Sequence, residues 1–460
     1  MVSTRVFLQN SLIICFLATT NIHCKKYLDT PSDARLVIPH KVADVQALLD
    51  KYTIMAFADA SSPEISSDNY YLSNADWTSM TQEAHRRMYK WEPDELYSPQ
   101  SNEWASLYKA VYYSNVCLEA LNAMDKGKVD ELSWDNARGQ ALFFRAKSFL
   151  QAVIIWGKVY DKATASMDLG VPLRLKADFN ETSQRASVAD SYDRVIGDLK
   201  ESIAYLPVIP LHVVRPSRPA AMGLLARAYL AMGEYDSCLK YADLCLQAKN
   251  TLVFYHTLNA NANFPFSAIP SQQNPEIIYH GVMGTPQPLT QARCKIDSVL
   301  YRSYHANDLR KVVFFKNNGN GSYAFKGSYD GTSLLATSIT TAEAYLMRAE
   351  ANAWKNNLVA AMQDLNTLME KRWKQGMFTT ITAVDKTDAL GKIREERRKE
   401  LLMRGLRWMD IKRLNREGVN IILKRFLNGI TYVLPPNDLR FALPIPEDVI
   451  ALSGMQQNPR

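Results

Sequence analysis

Two stretches of the 460-residue chain gather side chains suited to holding a small polar ligand. Residues 60–100 place Asp68, Asn69, Tyr70, Tyr71, Trp77, Tyr89, Trp91 and Tyr97 among Ser, Asp and Asn. Residues 254–330 place Tyr255, Asn259, Asn261, Tyr301, Tyr304, Tyr323 and Tyr329 beside several glycines. A planar ring covers the apolar face of a sugar, while neighbouring amides and carboxylates hydrogen-bond its hydroxyls. Rings with a few placed polar groups are a general recipe for small-ligand sites. Long ordered insertions are themselves uncommon and often functional. Against this, a chain that is 10% aromatic uses many rings simply to fill its core. Trp77 and Tyr70-Tyr71 stand in polar surroundings without helical spacing. The candidate ligand contacts are therefore Asp68, Asn69, Tyr70, Tyr71, Trp77 and Trp91, joined by Tyr301 and Tyr323 from the later insertion.

Catalytic signatures are missing. The seven histidines (23, 40, 85, 212, 256, 280, 305) are dispersed, and no HExxH spacing, phosphate loop, GxGxxG or GxSxG occurs. Gly319-Asn-Gly321 reads as a turn. No enzyme activity, cofactor or metal site is expected. A helical glycoside hydrolase stays open as a rival, because its carboxylate separation exists only in three dimensions. Net charge is +7 from 54 basic and 47 acidic residues, without the one-faced basic cluster that a nucleic-acid surface needs. Cys117, Cys238, Cys245 and Cys294 are scattered with no CxxC pair, which predicts buried thiols rather than a disulfide framework.

These residues need elements to position them, and helical periodicity dominates. Ala220–Gly233 followed by Glu234–Leu246 predicts two helices joined at Gly233, with Gly223, Ala226 and Ala228 small enough for a close neighbour. That is the pattern of a tetratricopeptide hairpin. Residues 342–354 with 358–368, and 141–150 with 192–203 across a long interruption, predict two more. Strand-like runs are few, at Glu276-Ile-Ile-Tyr279 and Val312-Val-Phe-Phe315.

The amino terminus opens with Arg5 and the apolar run Ser11–Ala18, the order of a secretory signal. The run is shorter than the ~20 residues that span a bilayer. Cys24 at its end suggests lipoprotein processing, with residues 1–23 removed. Asn21, Ile22 and His23 are larger than the small residues such cleavage prefers, so an ordinary signal peptide fits the local residues equally.

Several segments together resemble the SusD/RagB family of nutrient-binding lipoproteins of Bacteroidetes. Cys24-Lys-Lys-Tyr-Leu-Asp-Thr-Pro31 is similar to its mature start. Trp104, Tyr108 and Asn115 resemble its early helix; Arg145–Leu150, Trp156-Gly157 and Gly170-Val-Pro-Leu173 follow in family order. Tyr192 to Pro207 and Arg348-Ala-Glu350 match two further helices. The most specific match is Ile393–Leu401 with Gly405, Arg407-Trp408, Asp410 and Lys412-Arg413, and the chain closes on Leu443-Pro-Ile-Pro446 and Asn458-Pro459. Arg404 departs from the Glu usual before that glycine. The resemblance implies a mostly α fold of about four tetratricopeptide-like hairpins with long irregular insertions. It divides the chain into a region at 24–215 and one at 216–460 within one unit. It also implies a lipidated Cys24, an exterior-facing place on the outer membrane, and a SusC-like TonB-dependent barrel as partner. The implied ligand is a glycan, with an oligopeptide as the alternative. A periplasmic tetratricopeptide scaffold without an anchor is a further rival. On physical grounds Glu395 and Lys399 should pair one turn apart, while Arg407, Trp408 and Asp410 lock a helix end to the core.

Overall fold

In the computed structural model, residues 39–269 and 274–460 are described. The leader and Cys24 therefore lie outside the described residues. Among the described residues, ten helices of eight residues or more carry the fold. They are α1 Val42–Leu49, α2 Glu103–Ala123, α3 Glu131–Trp156, α4 Val188–Tyr205 and α5 Arg218–Met232. The others are α6 Tyr235–Ala248, α7 Thr341–Trp354, α8 Leu358–Glu370, α9 Lys386–Glu400 and α10 Arg407–Arg416. From α2 through α8, each packs against the next in chain order, and α9 closes on both α7 and α8. The sequence-predicted hairpins are present as α3–α4, α5–α6 and α7–α8.

Local chemistry sets the boundaries. Ser187 and Asp190 form a reciprocal capping box at the start of α4. Ser217 and Thr340 accept from the third amide of α5 and α7. Helix α3 is buried on all sides from Ala141 to Leu150, as befits the central helix of an array. Gly233 ends α5 at φ +78°, and a Cβ there would meet Arg416 Nη2 at 2.2 Å. Arg416 Nη1 instead donates to the Met232 carbonyl at 2.7 Å, so the glycine makes room for a guanidinium cap. A Cβ at Gly223 would meet Ile339 at 2.8 Å, so the close neighbour there is the strand Ile339–Thr340 as well as helix α6.

The sheets among the described residues are six two-stranded antiparallel pairs. Ile277–Tyr279 is a strand as expected. Val312–Phe315 is not: Arg310–Val313 forms a helical turn and the strand starts at Phe315. Asp308 Oδ1 accepts the Arg310 amide at 2.9 Å, and the Arg310 guanidinium is buried against Asp308, Glu396 and Glu400. That pairing overrides the β propensity of the four apolar residues. The four described cysteines are buried free thiols, and burial pushes Cys117, Cys238 and Cys245 up to about 12. No helix among the described residues is long and apolar enough to cross a membrane.

Buried charge joins the carboxy-terminal helices. Glu350 of α7 accepts a bidentate contact from Arg413 of α10 at 2.7 and 2.8 Å, and Arg394 of α9 adds 2.7 Å. Asp410 accepts from Arg397 at 2.9 Å and Arg413 at 2.8 Å. Trp408 is fully enclosed and donates to the Phe441 carbonyl at 3.2 Å. Trp408 and Asp410 thus take the expected locking role, while the buried Arg407 pairs with Asp68 of the early insertion. Glu395 and Lys399 pair at 2.7 Å, one turn apart.

Candidate functional site

The early insertion folds as short pieces: helix Ser62–Ser66, strand Tyr70–Tyr71, helix Asn74–Thr78 and helix Glu83–Tyr89. Strand pairing sets Tyr70 opposite Ile296 and Tyr71 opposite Lys295. Lys295 Nζ reaches the Asp76 carboxylate at 2.6 Å, tying the helix that carries Trp77 to the later insertion. Burial would raise the Asp76 carboxyl, but the Lys295 contact holds it below its ordinary value. The strand Lys295–Ile296 in turn packs against Tyr323–Phe325. The two aromatic stretches read from the sequence therefore meet at one place.

Within it the candidates divide. Asp68 is taken up by Arg407, at 2.7 and 2.9 Å, and by Arg398 at 3.2 Å. Burial opposes its ionisation, yet the two guanidinium groups hold its carboxyl well below the usual range. Asn69 is 1% exposed and donates to Glu64 at 2.8 Å. Tyr70 is 2% exposed with its hydroxyl on the Ile65 carbonyl at 3.0 Å. Trp91, also 2% exposed, donates to the Ser66 carbonyl at 2.9 Å. Asp68, Asn69, Tyr70 and Trp91 thus brace the insertion from beneath, and burial keeps the last three from solvent.

Tyr71, Trp77, Tyr301 and Tyr323 reach the surface. Tyr71 is 37% exposed. Trp77 is half-buried, donates to the Arg86 carbonyl at 3.3 Å and carries Lys90 over its ring at 5.2 Å. Tyr301 and Tyr323 stack face to face, with centroids 3.6 Å apart and planes 15° from parallel. Lys311 sits 5.1 Å from the Tyr301 centroid, so a cation and two rings pack in succession. Tyr323 makes no second ring or cation contact among the described residues. Burial, and then the contact with the Tyr323 hydroxyl, push the Tyr301 phenol up to about 12.

Sequence reasoning missed three supporting residues. Lys311 and Lys295 had no local signal. Arg425 had one: Leu423–Leu427 and Ile430–Leu434 alternate across Asn428-Gly429, both with positive φ, which is a strong hairpin signature. The inward position 425 carries the guanidinium. It donates to the carbonyls of Ile65, Ser67 and Tyr70 and lies 4.0 Å from the Tyr89 centroid, 4.8 Å from Tyr70 and 5.3 Å from Trp91. It has no carboxylate within ion-pair reach among the described residues. No group of three or more His, Cys, Asp or Glu side chains there could hold a metal ion.

Two family models match the chain: residues 26–230 fit a SusD-like family described as starch-binding and associating with the outer membrane, and residues 308–460 fit the SusD family. No curated protein matches it. Among solved structures, a SusD superfamily protein from Bacteroides vulgatus is 20% identical with a TM-score of 0.73, covering 92% of this chain and 99% of that one. A putative sugar binding protein from the same species is 21% identical at 0.72, with coverage of 92% and 99%. A SusD superfamily protein from Bacteroides thetaiotaomicron is 20% identical at 0.71, with coverage of 91% and 100%. These likenesses establish the fold. With two SusD-type family models matching residues 26–230 and 308–460, the chain belongs to the SusD/RagB family and is a binding protein, not an enzyme.

Proposed function

We propose that this protein is a lipid-anchored receptor on the outer membrane that binds an oligosaccharide and passes it to a SusC-like TonB-dependent barrel. Cys24 is the proposed acylated terminus. Tyr323, Tyr71 and Trp77 are the proposed sugar-facing rings, with Tyr301 as support. The observation that carries the reading is the face-to-face stack of the half-buried Tyr301 and Tyr323, with Lys311 5.1 Å from the Tyr301 centroid. A ring fixed in advance loses little entropy when a sugar stacks on it. The family description as starch-binding and a neighbour named as a putative sugar binding protein agree with this chemistry.

Replacing Tyr323 by alanine should weaken oligosaccharide binding about tenfold, on the order of 1.4 kcal/mol for one stacking contact. Tyr323→Phe should keep most of the affinity, and Tyr71→Ala should weaken it by a smaller factor. Calorimetric titration of an oligosaccharide panel measures all three. Equal affinity for wild type and Tyr323→Ala would remove these rings from the binding surface. Binding to an oligopeptide panel instead would assign the same architecture to peptide capture.

A further inference from the structure

A second, internal feature lies between α3, α5 and the turn before α10. There a cavity of about 50 Å³ opens, several times the space that one water needs. Its polar lining comprises Asp59, Lys147, Gln151, Arg227, Tyr279, Thr337 and Arg404, with Thr337 donating to Asp59, and the rest is apolar. Most of this charge is matched locally. Asp59 pairs with Lys147 and also accepts from Gln151 at 2.9 Å. Arg227 is held by Glu343 of α7 at 2.8 and 2.7 Å.

Arg404 is matched only at a distance, by Tyr329, Tyr255 and Glu400. Its guanidinium rests 3.8 Å from the Tyr329 centroid and makes one long contact, Nη1 to Thr340 Oγ1 at 3.4 Å. No carboxylate lies within ion-pair distance of it among the described residues. Glu400, the carboxylate that acts on it electrostatically, is engaged by Arg372 at 3.0 and 2.8 Å and by Arg310 at 3.2 Å. Arg404 is 5% exposed, and its Nη2 has no hydrogen-bond partner. Tyr279, 1% exposed, also has a buried hydroxyl without a partner. Two orphaned donors therefore belong to side chains lining one small cavity, and one positive charge there has no adjacent counter-charge. Buried polar groups left unmet are rare and call for an occupant. Water would satisfy the donors but would bring no negative charge beside a guanidinium that forms no ion pair among the described residues.

We infer that this cavity is a binding site for one small monovalent anion, of the size of a halide or formate, held by Arg404 and the Tyr279 hydroxyl. It stands apart from the sugar-facing rings, so it holds or fails independently of the function proposed above. Its role is to complete the charge balance of the joint between α3, α5 and the 404–409 turn.

Bromide is the probe. At fixed ionic strength set with sodium sulfate, the melting temperature of the full mature protein should rise by a few degrees with bromide and saturate. Arg404→Gln should abolish the dependence. Tyr279→Phe, which keeps the ring, should raise the half-saturating bromide concentration severalfold, and it keeps the test decisive if the Arg404 variant fails to fold. Crystals soaked in bromide should show an anomalous peak within the cavity. Identical melting in bromide and sulfate, an unaltered response in Tyr279→Phe, or a cavity without anomalous signal would overturn the assignment.

Discussion

Replacing Glu350 by alanine is expected to cost about 3–5 kcal/mol of folding stability, the range for breaking a buried ion pair by removing one partner. Glu350 is fully enclosed and is gripped by Arg413 through both oxygens and by Arg394 through one. Its loss takes one carboxylate from each of two guanidinium groups between α7, α9 and α10, leaving Arg413 with Asp410 and Arg394 with Glu417. Glu350→Gln should be milder, since it keeps the volume and an acceptor. Urea unfolding followed by circular dichroism measures both. The same carboxylate predicts the acid limb of stability. Burial would raise its pKa, but Arg413 and Arg394 dominate and bring it down to about 2. A depressed folded pKa means that the contribution is complete above the unfolded value of about 4.5. It is then lost as pH falls through the window from 4.5 to 2. That loss is on the order of 3 kcal/mol for this one group. Wild type should therefore lose more stability than Glu350→Gln between pH 5 and pH 2.5; equal losses would show that other carboxylates govern acid unfolding.

Arg425→Met is expected to do comparable damage, by a different route and with a local signature. Three carbonyls, of Ile65, Ser67 and Tyr70, lose their common donor. The Ile65 carbonyl keeps the Tyr70 hydroxyl, and each buried acceptor left unmet costs roughly 1–3 kcal/mol. The rings of Tyr70, Tyr89 and Trp91 also lose the cation between them. Because Tyr70 precedes the exposed Tyr71, the segment from Ile65 to Tyr71 should exchange amide hydrogens faster while α3 stays protected. Arg425→Lys retains the charge but not the planar fork, so it should fall between the two. If amide exchange rises uniformly across the chain, Arg425 serves global stability and does not position the early insertion.

The helical scaffold was legible because each of its signals is local. Gly233 marks the end of α5, and the paired segments at 342–354 and 358–368 announce a hairpin by their own periodicity. The site was legible only in part. The composition of the early insertion located the region. It did not separate Tyr70, whose hydroxyl turns inward to the Ile65 carbonyl, from Tyr71, one residue on and facing out. That distinction belongs to the strand pairing with Lys295–Ile296, a partner more than two hundred residues away. Asp68 read as a ligand contact and Arg407 as a core lock, yet the two are one ion pair. A charge pattern along one helix reveals neighbours such as Glu395 and Lys399, but not pairs that close across the fold. Tyr301 and Tyr323 came from composition, and their stack depends on a hairpin turned at Gly319 and Gly321.

The most direct test of the account is the structure of the protein with an oligosaccharide that titrates onto it. The account predicts a pyranose ring lying flat on the outer face of Tyr323, with Tyr71 or Trp77 within contact distance. A sugar seated away from these rings, or a protein that binds peptides and no sugar, would contradict it.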